Sequence, residues 1–553
     1  MIRTHRLLIF ICLLFVAFTA CNKIPKHAKY IPKDSQMVLA IDLDKMGKKL
    51  IWNAVTGSEL FKDMMKNLKN ESSKNAAKDI SSIGLKQNSS VFVFSNRLEN
   101  GQASVCILAG MENAKTFEDF IVKNYPNQAI DKLEGYKSCT IESMVVAAWN
   151  DDAALFFPLQ QMNTTATDSL GMGISMKSEA EIKSQLKSFF SLKDENSIES
   201  NAHFKSLLDD HHDISLWLNY QQILEKNMTA GSNPFMKKDY FKDAALASGY
   251  DFEKGNIEAN MAYYMSKEMA DIYKKSAGNK LDMDMIKQLP GKDVMMVMGM
   301  QLKVEMIRDF LKLFGLDGLA NMGLGLAGTS LDQIQKAFKG DIVFAVSDVN
   351  MKDSSSNLQG GIAGLTDMQV FCGMRVGDKQ AMQDLMNIGV KNKLLNKMGD
   401  RYVMADGGPM TDIVCTDKYL AFSNQPNSVN SFLEGKNDIR KNLPAGVWDK
   451  LSSNPFVFYM DIKKLTKVIP IEADNAQEQA LLNKAKNLIN YVEMHGGQMK
   501  KGAVITDGNL RFANESENAL IQLLDLAVEA KKLKDIKDKE APTEPVIDSA
   551  FIQ

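Results

Sequence analysis

Short apolar runs come in close pairs along this chain, and turns rich in asparagine, glycine and aspartate separate the members of each pair. Residues 91–95 and 103–109 make one such pair, and residues 342–347 and 368–374 make another. Apolar runs of this length between turn residues predict antiparallel hairpins. Helical patterns, such as that of residues 304–314, cluster between the hairpins and do not alternate strictly with strands. The pattern therefore predicts an α+β fold with mainly antiparallel sheets and packed helices.

The same order of elements occurs twice along the chain. A proline leads into an apolar run in each half, and each half closes with a Lys-Gly turn inside a hairpin pattern, Lys254-Gly255 and Lys501-Gly502. Further matches, each weak by itself, are residues 214–219 with 456–461, and Asp152, Leu155 and Phe157 with Asp417, Leu420 and Phe422 at one common offset. Because a repeated order at a long period indicates duplication, we predict two tandem, internally duplicated halves, 30–287 and 288–530. The alternative is that hairpins with helices look alike in any α+β protein.

The length of the chain agrees with more than one core. A single hydrophobic core stops growing near about 250 to 300 residues, and this chain has 553. Hydrophobic residues make up 45% and charged residues 24%, as in ordinary folded proteins. The last stretch, 531–553, begins with two lysines and is rich in charge and proline. Such a composition predicts a disordered tail.

The N-terminus has the pattern of a secretory signal. Arg3 and Arg6 make a basic start, residues 7–18 are apolar, and small residues precede Cys21. An apolar stretch of this length is too short for a spanning helix, which needs roughly 20 residues. The arrangement is similar to a bacterial lipoprotein signal. We therefore expect residues 1–20 to be removed, Cys21 to carry fatty acyl chains such as palmitate, and residues 21–29 to form a short tether.

The charge of the chain argues against a nucleic-acid partner. The formal net charge is −2, and it falls to −4 without the two arginines of residues 1–20. A nucleic-acid-binding protein needs a basic face, which this balance does not provide. We expect a protein of the cell envelope, attached to the membrane through the lipid on Cys21.

The cysteines and methionines leave two questions open. Cys106, Cys139, Cys372 and Cys415 fall two in each half, so one disulfide in each half could form outside the inner membrane. The alternative is four buried free thiols. The 34 methionines are densest at Met283, Met285, Met295, Met296, Met298 and Met300. The alternation of Met296, Met298 and Met300 along a strand favours core packing over binding of a soft metal.

No familiar catalytic or metal-binding motif occurs in the sequence, whether of zinc, nucleophile-elbow or phosphate-loop type. His211-His212-Asp213 precedes a strand, where neighbouring side chains point to opposite faces. The two imidazoles could therefore hardly bind one metal ion, and we expect a solvated turn. Residues 323–328 fit a dinucleotide-binding glycine pattern, but a helix and not a strand precedes them. We expect a turn between helices there, with Ser330 and Gln333 forming a capping box. We predict no catalytic residue, metal or cofactor.

One group of residues is a candidate for binding. Trp149, Asn150 and Asp152 lie at a turn, and Trp217 with Asn219 ends a later strand. Aromatic faces beside polar groups suit contacts with a peptide or a sugar. The alternative reading is that both tryptophans lie in the core and that the asparagine and aspartate residues form turns.

The opening of the mature chain carries a resemblance to a known family. Residues 30–43 read Tyr-Ile-Pro-Lys-Asp-Ser-Gln-Met-Val-Leu-Ala-Ile-Asp-Leu and follow a cysteine that can be lipidated. They resemble large lipoproteins of unknown function from Bacteroidota-type bacteria, in which Ile-Pro-x-Asp precedes an apolar strand ending in Asn or Asp. The matching residues are Ile31, Pro32, Asp34 and Asp42. The resemblance implies no catalytic residues.

In such lipoproteins, acidic residues just after the cysteine accompany export to the cell surface. Residues 22–26 of this chain are Asn-Lys-Ile-Pro-Lys, without an acid. The resemblance therefore implies an outer-membrane lipoprotein that faces the periplasm and not the cell exterior.

The sequence favours a non-enzymatic envelope lipoprotein that acts as a binding or scaffold protein. Its ligand would be a protein, a peptide or an apolar molecule held in the groove between the two halves. One alternative is a hydrolase of unfamiliar type. Another is a solute-binding lipoprotein that feeds a transporter, which predicts two lobes with parallel sheets and a hinge.

Overall fold

The computed structural model describes residues 24–49, 79–97, 103–141, 144–163, 173–176, 178–227, 238–276, 280–349, 368–408, 410–452, 454–468, 473 and 475–540. Cys21 and the expected signal sequence lie outside the described residues. Residue contacts divide the chain into two compact units, the first with Met1–Lys49 and Leu68–Asn219 and the second with Leu50–Asn67 and Tyr220–Gln553. The predicted boundary between two halves at residue 287 stays a prediction.

The first unit combines hairpin strands with short helices. Its strands are β1 (Met37–Asp42), β2 (Ser90–Arg97), β3 (Ala103–Gly110), β4 (Asp131–Leu133), β5 (Tyr136–Ile141), β6 (Val145–Trp149), β7 (Ala153–Pro158), β8 (Gln160–Asn163), β9 (Gly173–Met176) and β10 (Ile214–Leu218). Its α-helices are α1 (Leu43–Lys48), α2 (Ala114–Asn124), α3 (Glu179–Phe190) and α4 (Ala202–Asp209). Short 3-10 helices occur at Lys26–Tyr30, Ile80–Ile83, Asp194–Asn196 and Ile198–Ser200.

Antiparallel hydrogen bonds order the strands of the first unit as β10–β1–β2–β3–β7–β6–β5–β4. The predicted hairpin of residues 91–95 with 103–109 is confirmed as β2 with β3. Residues of β10 alternate between half-buried and buried, so that Ser215 and Trp217 face the interior. On another part of the sheet, Phe117 and Ile121 of α2 pack into a core with Trp149.

The second unit is larger. Its strands are β11 (Ala245–Glu253), β12 (Asn256–Tyr264), β13 (Val294–Gln301), β14 (Phe338–Ser347), β15 (Gln369–Val376), β16 (Leu395–Met398), β17 (Arg401–Met404), β18 (Asp412–Cys415), β19 (Tyr419–Ser423), β20 (Phe456–Asp461), β21 (Ile489–Lys500) and β22 (Ala503–Phe512). Its α-helices are α5 (Tyr220–Asn227), α6 (Lys267–Ser276), α7 (Met283–Lys287), α8 (Val304–Leu313), α9 (Asp317–Leu326), α10 (Leu331–Ala337), α11 (Lys379–Lys391), α12 (Pro426–Leu433), α13 (Val447–Leu451), α14 (Ile462–Val468), α15 (Ala476–Leu488) and α16 (Ala519–Glu540).

Hydrogen bonds order the strands of the second unit as β11–β12–β22–β21–β20–β13–β14–β15–β19–β18–β17–β16. All of these pairings are antiparallel, as they are in the described part of the first unit. The predicted α+β class with antiparallel sheets is therefore confirmed. The parallel sheets that a hinged solute-binding lipoprotein would need do not occur among the described strands.

Two series of strands have the same connections. The series β10–β1–β2–β3–β7–β6–β5–β4 corresponds, strand for strand, to β20–β13–β14–β15–β19–β18–β17–β16. The helices that follow β3 and β15 begin in the same way, because Asn113 and Asp378 each accept a hydrogen bond from the N–H three residues later. The duplication itself stays a prediction, and the equal connections are the structural observation that agrees with it.

The pairing of β12 with β22 adds a second such observation. Asn260 pairs with Asp507, and the Asn260 Nδ2 donates to Asp507 Oδ1 at 2.7 Å. The separation of these two residues in sequence equals that between the hairpin turns at Lys254 and Lys501, 247 residues. In this register β12 pairs with β22, the strand that occupies the same place in the other predicted copy, as equivalent strands do at a two-fold axis.

The expected match between the turns before β7 and β19 needs a correction of one residue. The N–H groups of Asn150 and Thr416 each donate to the carbonyl oxygen three residues ahead, at 3.0 Å and 2.8 Å. Asp151, and not Asp152, therefore corresponds to Asp417. In this register the two strands also share one burial pattern. The offset matters because a shift of one residue exchanges the two faces of a strand.

The folded part of the chain begins earlier than the sequence predicted. Residues 26–29, assigned to the tether, lie in the 3-10 helix Lys26–Tyr30, in which His27, Ala28 and Tyr30 are buried. The Ile31 carbonyl accepts a hydrogen bond from the N–H of Ile198 at 2.8 Å. Predicting a tether through residue 29 was wrong because these side chains are buried and the neighbouring backbone pairs with residues far along the chain.

The C-terminal helix also extends further than expected. Residues 531–540, predicted to be disordered, continue α16, while 541–553 lie outside the described residues. Lys531 and Asp535, one turn apart, approach to 3.9 Å, and Lys484 of α15 lies 2.6 Å from Glu529. Opposite charges four residues apart stabilise a helix, which explains why a charged sequence is ordered here. No helix among the described residues is both long and apolar enough to cross a bilayer.

The glycine-rich stretch 323–328 is not a turn over its whole length. Gly323 and Gly325 lie inside α9, and the chain turns only after Leu326. Half of the predicted capping box forms: the Ser330 hydroxyl accepts a hydrogen bond from the N–H of Gln333 at 3.2 Å, while the Gln333 Oε1 accepts one from the Thr329 hydroxyl at 3.1 Å. Since helix α8 precedes this stretch and the stretch itself begins inside helix α9, it has no strand of the dinucleotide-binding kind before it.

Candidate functional site

A cleft of about 530 Å³ lies in the first unit. It is formed by strands β1, β2 and β10, by helix α1, by the end of α4 with the loop that follows, and by the first two described residues of the chain. Its lining consists of Ile24, Pro25, Ala40, Asp42, Asp44, Lys45, Lys48, Asn88, Ser89, Ser90, Leu208, Asp209, His211, His212 and Ser215. Most of these side chains are polar or charged, so the cleft suits a polar ligand.

Helix α1 supplies one wall of the cleft. The Asp42 side chain begins this helix by accepting a hydrogen bond from the N–H of Lys45 at 2.9 Å. One turn further, Asp44 and Lys48 form an ion pair of 2.5 Å at the solvent edge. An exposed pair four residues apart contributes little stability. Both side chains are therefore free to exchange this contact for one with a ligand.

A buried carboxylate supports the opposite wall. Asp213 is fully buried, and its carboxylate lies 2.8 Å from Lys49 Nζ and 3.9 Å from Lys45 Nζ. The Lys45 ammonium group also donates to the carbonyl oxygen of His211 at 2.6 Å. These contacts tie α1 to the residues that precede β10. They hold the loop that carries His211 and His212 at the rim of the cleft.

The run His211-His212-Asp213 was expected to be a solvated turn, and this holds for only part of it. His211 is exposed and has a φ of 52°, in the left-handed region. Asp213, two residues later, has no exposed surface. Among the described residues, no group of three or more histidine, cysteine, aspartate and glutamate residues could hold a metal ion.

The N-terminal segment reaches the cleft through a buried histidine. His27 Nε2 lies 2.8 Å from the carbonyl oxygen of Ser90, and its ring packs edge-on against Phe92. Burial lowers the pKa of His27 to about 4, so the imidazole is neutral near pH 7. Its Nε2–H group donates a hydrogen bond to the Ser90 carbonyl oxygen. The segment is thereby held to β2, and Ile24 and Pro25 lie in the lining of the cleft.

Asn150 and Asp152, two of the predicted binding residues, lie in one turn and contact the N-terminal segment. The Asn150 Oδ1 accepts hydrogen bonds from the N–H groups of Asp152 and Ala153, and its Nδ2 donates to the Tyr30 hydroxyl at 2.7 Å. Lys29 Nζ donates to the Asp152 carboxylate at 2.6 Å, and this hydrogen bond lowers the pKa of the Asp152 carboxyl. Both residues have structural partners, and a binding role for them stays a prediction.

The structure does not bring the two predicted tryptophans together. Trp149 is buried against Phe117, and Trp217 is buried against Phe204. Their strands, β6 and β10, are separated in the sheet by β1, β2, β3 and β7. Asn219 follows β10, and its N–H donates to the Gln36 carbonyl at 2.9 Å. A single site containing all five residues therefore does not form.

None of the four cysteines among the described residues takes part in a disulfide. Cys106 and Cys139 are buried, and Cys372 and Cys415 are half-buried. Burial raises the pKa of the Cys139 thiol to about 11 and that of Cys372 to about 12, so neither is a nucleophile near pH 7. Of the two alternatives left by the sequence, the disulfides do not form, and only two of the four thiols are buried as the other alternative expected.

The methionine cluster lies on helix α7 and on both faces of strand β13. Met285 is fully buried with Ile286 in the core of the second unit, and Met295 is nearly buried. Met296, Met298 and Met300 share the other, half-buried face of β13. The core face that the alternation predicted is instead occupied by Val297 and Gly299, because a β-bulge lies between Val294 and Met296.

The sequence did not predict the cleft, for a simple reason. Asp213 lies more than 160 residues from Lys45 and Lys49 in the sequence, and it meets them only because β1 pairs with β10. Charged residues of this kind are scattered along the whole chain, and nothing local marks these three. The adjacent histidines were the only available signal.

Comparison with known proteins gives the chain a family but no activity. No curated protein matches it. Among solved structures, crystal form III of TP0453 matches at 10% identity over 46% of this chain and 87% of that one, with a TM-score of 0.24. Crystal form IV of TP0453 matches at 10% identity over 45% and 86%, with a TM-score of 0.23. Such scores carry no argument about function.

A family model covers more than half of the chain. The model of a domain of unknown function, DUF4836, matches residues 27–366. The match includes the N-terminal segment from His27 onward, every residue of the cleft from Ala40 onward and the first strands of the second unit. On this match, the chain belongs to the DUF4836 family.

Proposed function

We propose that this protein is a lipid-anchored, non-enzymatic binding protein of the cell envelope, and that the cleft of its first unit binds a polar segment of a peptide or protein. The observation that carries the proposal is the position of Ile24 and Pro25 in the lining of a charged cleft. They follow Cys21 by three and four residues. An acyl anchor on Cys21 would therefore hold the cleft within about 14 Å of the bilayer surface.

The groups that line the cleft favour a peptide over an apolar ligand. Carboxylates of Asp44 and Asp209 lie beside the ammonium group of Lys48 and the imidazoles of His211 and His212. Such a lining can pair with both signs of charge and with backbone amide groups. The apolar lining residues, Ile24, Pro25, Ala40 and Leu208, are a minority of the lining and offer an apolar chain few contacts. The other expected location for a ligand, the groove between two halves, stays a prediction.

The anchor is tested by metabolic labelling with a palmitate analogue. The Cys21→Ala variant is expected to lose the label completely and to leave the membrane fraction. Cys12→Ala, in the apolar stretch of the expected signal, is the matched control and should leave labelling of the mature protein unchanged. Undiminished label in Cys21→Ala would contradict the anchor.

Ligand binding by the cleft is tested by thermal unfolding with a panel of short peptides that carry both signs of charge. A peptide at 100 times its Kd stabilises the folded state by about 2.7 kcal/mol. For a unit of this size, the expected rise in Tm is roughly 5 to 10 °C. The double variant Asp209→Ala/His212→Ala should reduce this rise, whereas Lys187→Ala, an exposed change on α3, should not. Equal shifts in all three proteins would place binding elsewhere.

A further inference from the structure

Helix α9 of the second unit exposes the side that a helix normally buries. Leu319, Met322 and Leu326 follow one another at spacings of three and four residues and so form one stripe. No residue of this helix is buried. The exposed fractions of the three side chains run from 51% to 85%. Residues 318–331 contain no ionisable side chain, so the stripe is wholly uncharged.

Two further exposed apolar side chains follow a residue that contacts the end of this helix. The Asn392 side chain, at the end of α11, donates to the carbonyl oxygen of Ala327 at 2.8 Å. Two residues later, Leu394 is exposed, and so is Met398 at the end of β16. We call the surface formed by Leu319, Met322, Leu326, Leu394 and Met398 the apolar tip. These are five of the large apolar side chains that the described residues expose.

Positive charge surrounds the second part of the apolar tip. Lys391, Lys393 and Lys397 are all exposed, and residues 387–399 contain no acid. Lys393 has a φ of 57°, at the turn that presents Leu394. Apolar side chains rimmed by lysines are the arrangement by which proteins lie on a bilayer surface that contains anionic lipids.

From this arrangement we infer that the apolar tip docks onto an anionic lipid bilayer. The apolar side chains enter the boundary between headgroups and acyl chains, and the three lysines contact the phosphates. A two-fold contact with a second copy of this chain is disfavoured, because it would bring together two copies of segment 387–400, each with three lysines and only one acid, Asp400. The inference adds a second membrane contact to the anchor proposed at Cys21.

The inference is tested with residues 22–553, which contain every described element and lack both Cys21 and the apolar stretch 7–18. Co-sedimentation is measured with vesicles of phosphatidylethanolamine and phosphatidylglycerol, and with vesicles of phosphatidylcholine alone. Binding is expected only to the anionic vesicles and should weaken as salt is raised. Since the anchor is absent, failure of the lipidation proposal would leave this result unchanged.

Matched variants locate the contact. Leu319→Gln/Leu326→Gln is expected to weaken vesicle binding at least tenfold, because both side chains are exposed and glutamine suits a helix. Leu133→Gln/Met144→Gln, two exposed apolar residues of the first unit, should leave binding unchanged. Replacing Lys391, Lys393 and Lys397 with glutamine should remove the dependence on salt.

Three outcomes would overturn the inference. The first is that residues 22–553 do not bind anionic vesicles. The second is that the tip variant and the control variant bind equally well. The third is that sedimentation velocity shows a dimer which Leu319→Gln/Leu326→Gln dissociates while vesicle binding is unaffected, since the tip would then be an interface between copies. Circular dichroism and Tm of each variant show that folding is retained.

Discussion

Replacing Lys450 with methionine is expected to lower the free energy of unfolding of the second unit by about 3 kcal/mol. Glu493 of β21 is fully buried, and Lys450 Nζ lies 2.6 Å from its Oε1. The other carboxylate oxygen, Oε2, has no hydrogen-bond partner among the described residues. Without the lysine, a charge would stay buried and uncompensated, which costs about 3 to 5 kcal/mol. Lys450 is 38% exposed, so we expect the lower end of this range.

The measurement is urea unfolding followed by tryptophan fluorescence, with Trp448 two residues from the substitution. Lys450→Met/Glu493→Met is expected to recover most of the lost stability, because removing both charges removes the buried unpaired group. Lys379→Met breaks an ion pair of 2.7 Å with Asp417 in which both partners are exposed, and it should change stability by less than about 1 kcal/mol. A double variant no more stable than Lys450→Met would argue against the buried charge as the cause.

The free energy of unfolding of the first unit is expected to fall by up to about 3 kcal/mol between pH 6.5 and pH 4 because of His27. The pKa of this buried imidazole is about 4 in the folded state, against an ordinary value of 6.5 for histidine. As pH falls, the unfolded chain therefore binds the proton first, and the folded state loses stability until its own pKa is reached. A difference of about 2.5 pKa units corresponds to about 3 kcal/mol at 1.36 kcal/mol each.

The test compares the wild-type protein with His27→Gln at pH values from 8 to 4. Glutamine keeps a hydrogen-bond donor for the Ser90 carbonyl but does not titrate. The variant is expected to be less stable near pH 7.5, and its disadvantage should shrink or reverse toward pH 4. Other titrating groups contribute to both curves and cancel in the difference. Two parallel curves would show that His27 does not titrate on unfolding.

Local sequence patterns were informative wherever the structure depends on neighbours in sequence. The hairpin of β2 with β3 follows from apolar runs of matching length around a turn. The cap at Ser330 follows from a hydroxyl residue placed three positions before Gln333. The offset of one residue between the turns at Asn150 and Thr416 shows the limit of such reasoning, since only the hydrogen bonds of the turn fix the register.

Distant pairing accounts for the parts of the candidate site that sequence reasoning did not find. Asp213 belongs to a polar run that looks solvated, and its burial depends on Lys49, 164 residues away. His27 looks like part of a flexible tether until its ring packs against Phe92. Trp149 and Trp217 each looked suitable for a common site, but the strand order places four strands between them.

The sequence by itself determined the α+β class, the antiparallel hairpins and several helix starts, because periodicity, turn residues and caps act over a few residues. Only the tertiary structure decided that Asp213 and Glu493 are buried with lysine partners, that the four described cysteines form no disulfide, and that α9 keeps its apolar stripe in solvent. Each of these depends on which distant surfaces meet. A carboxylate, a thiol or a leucine has the same local sequence signature whether or not a partner reaches it.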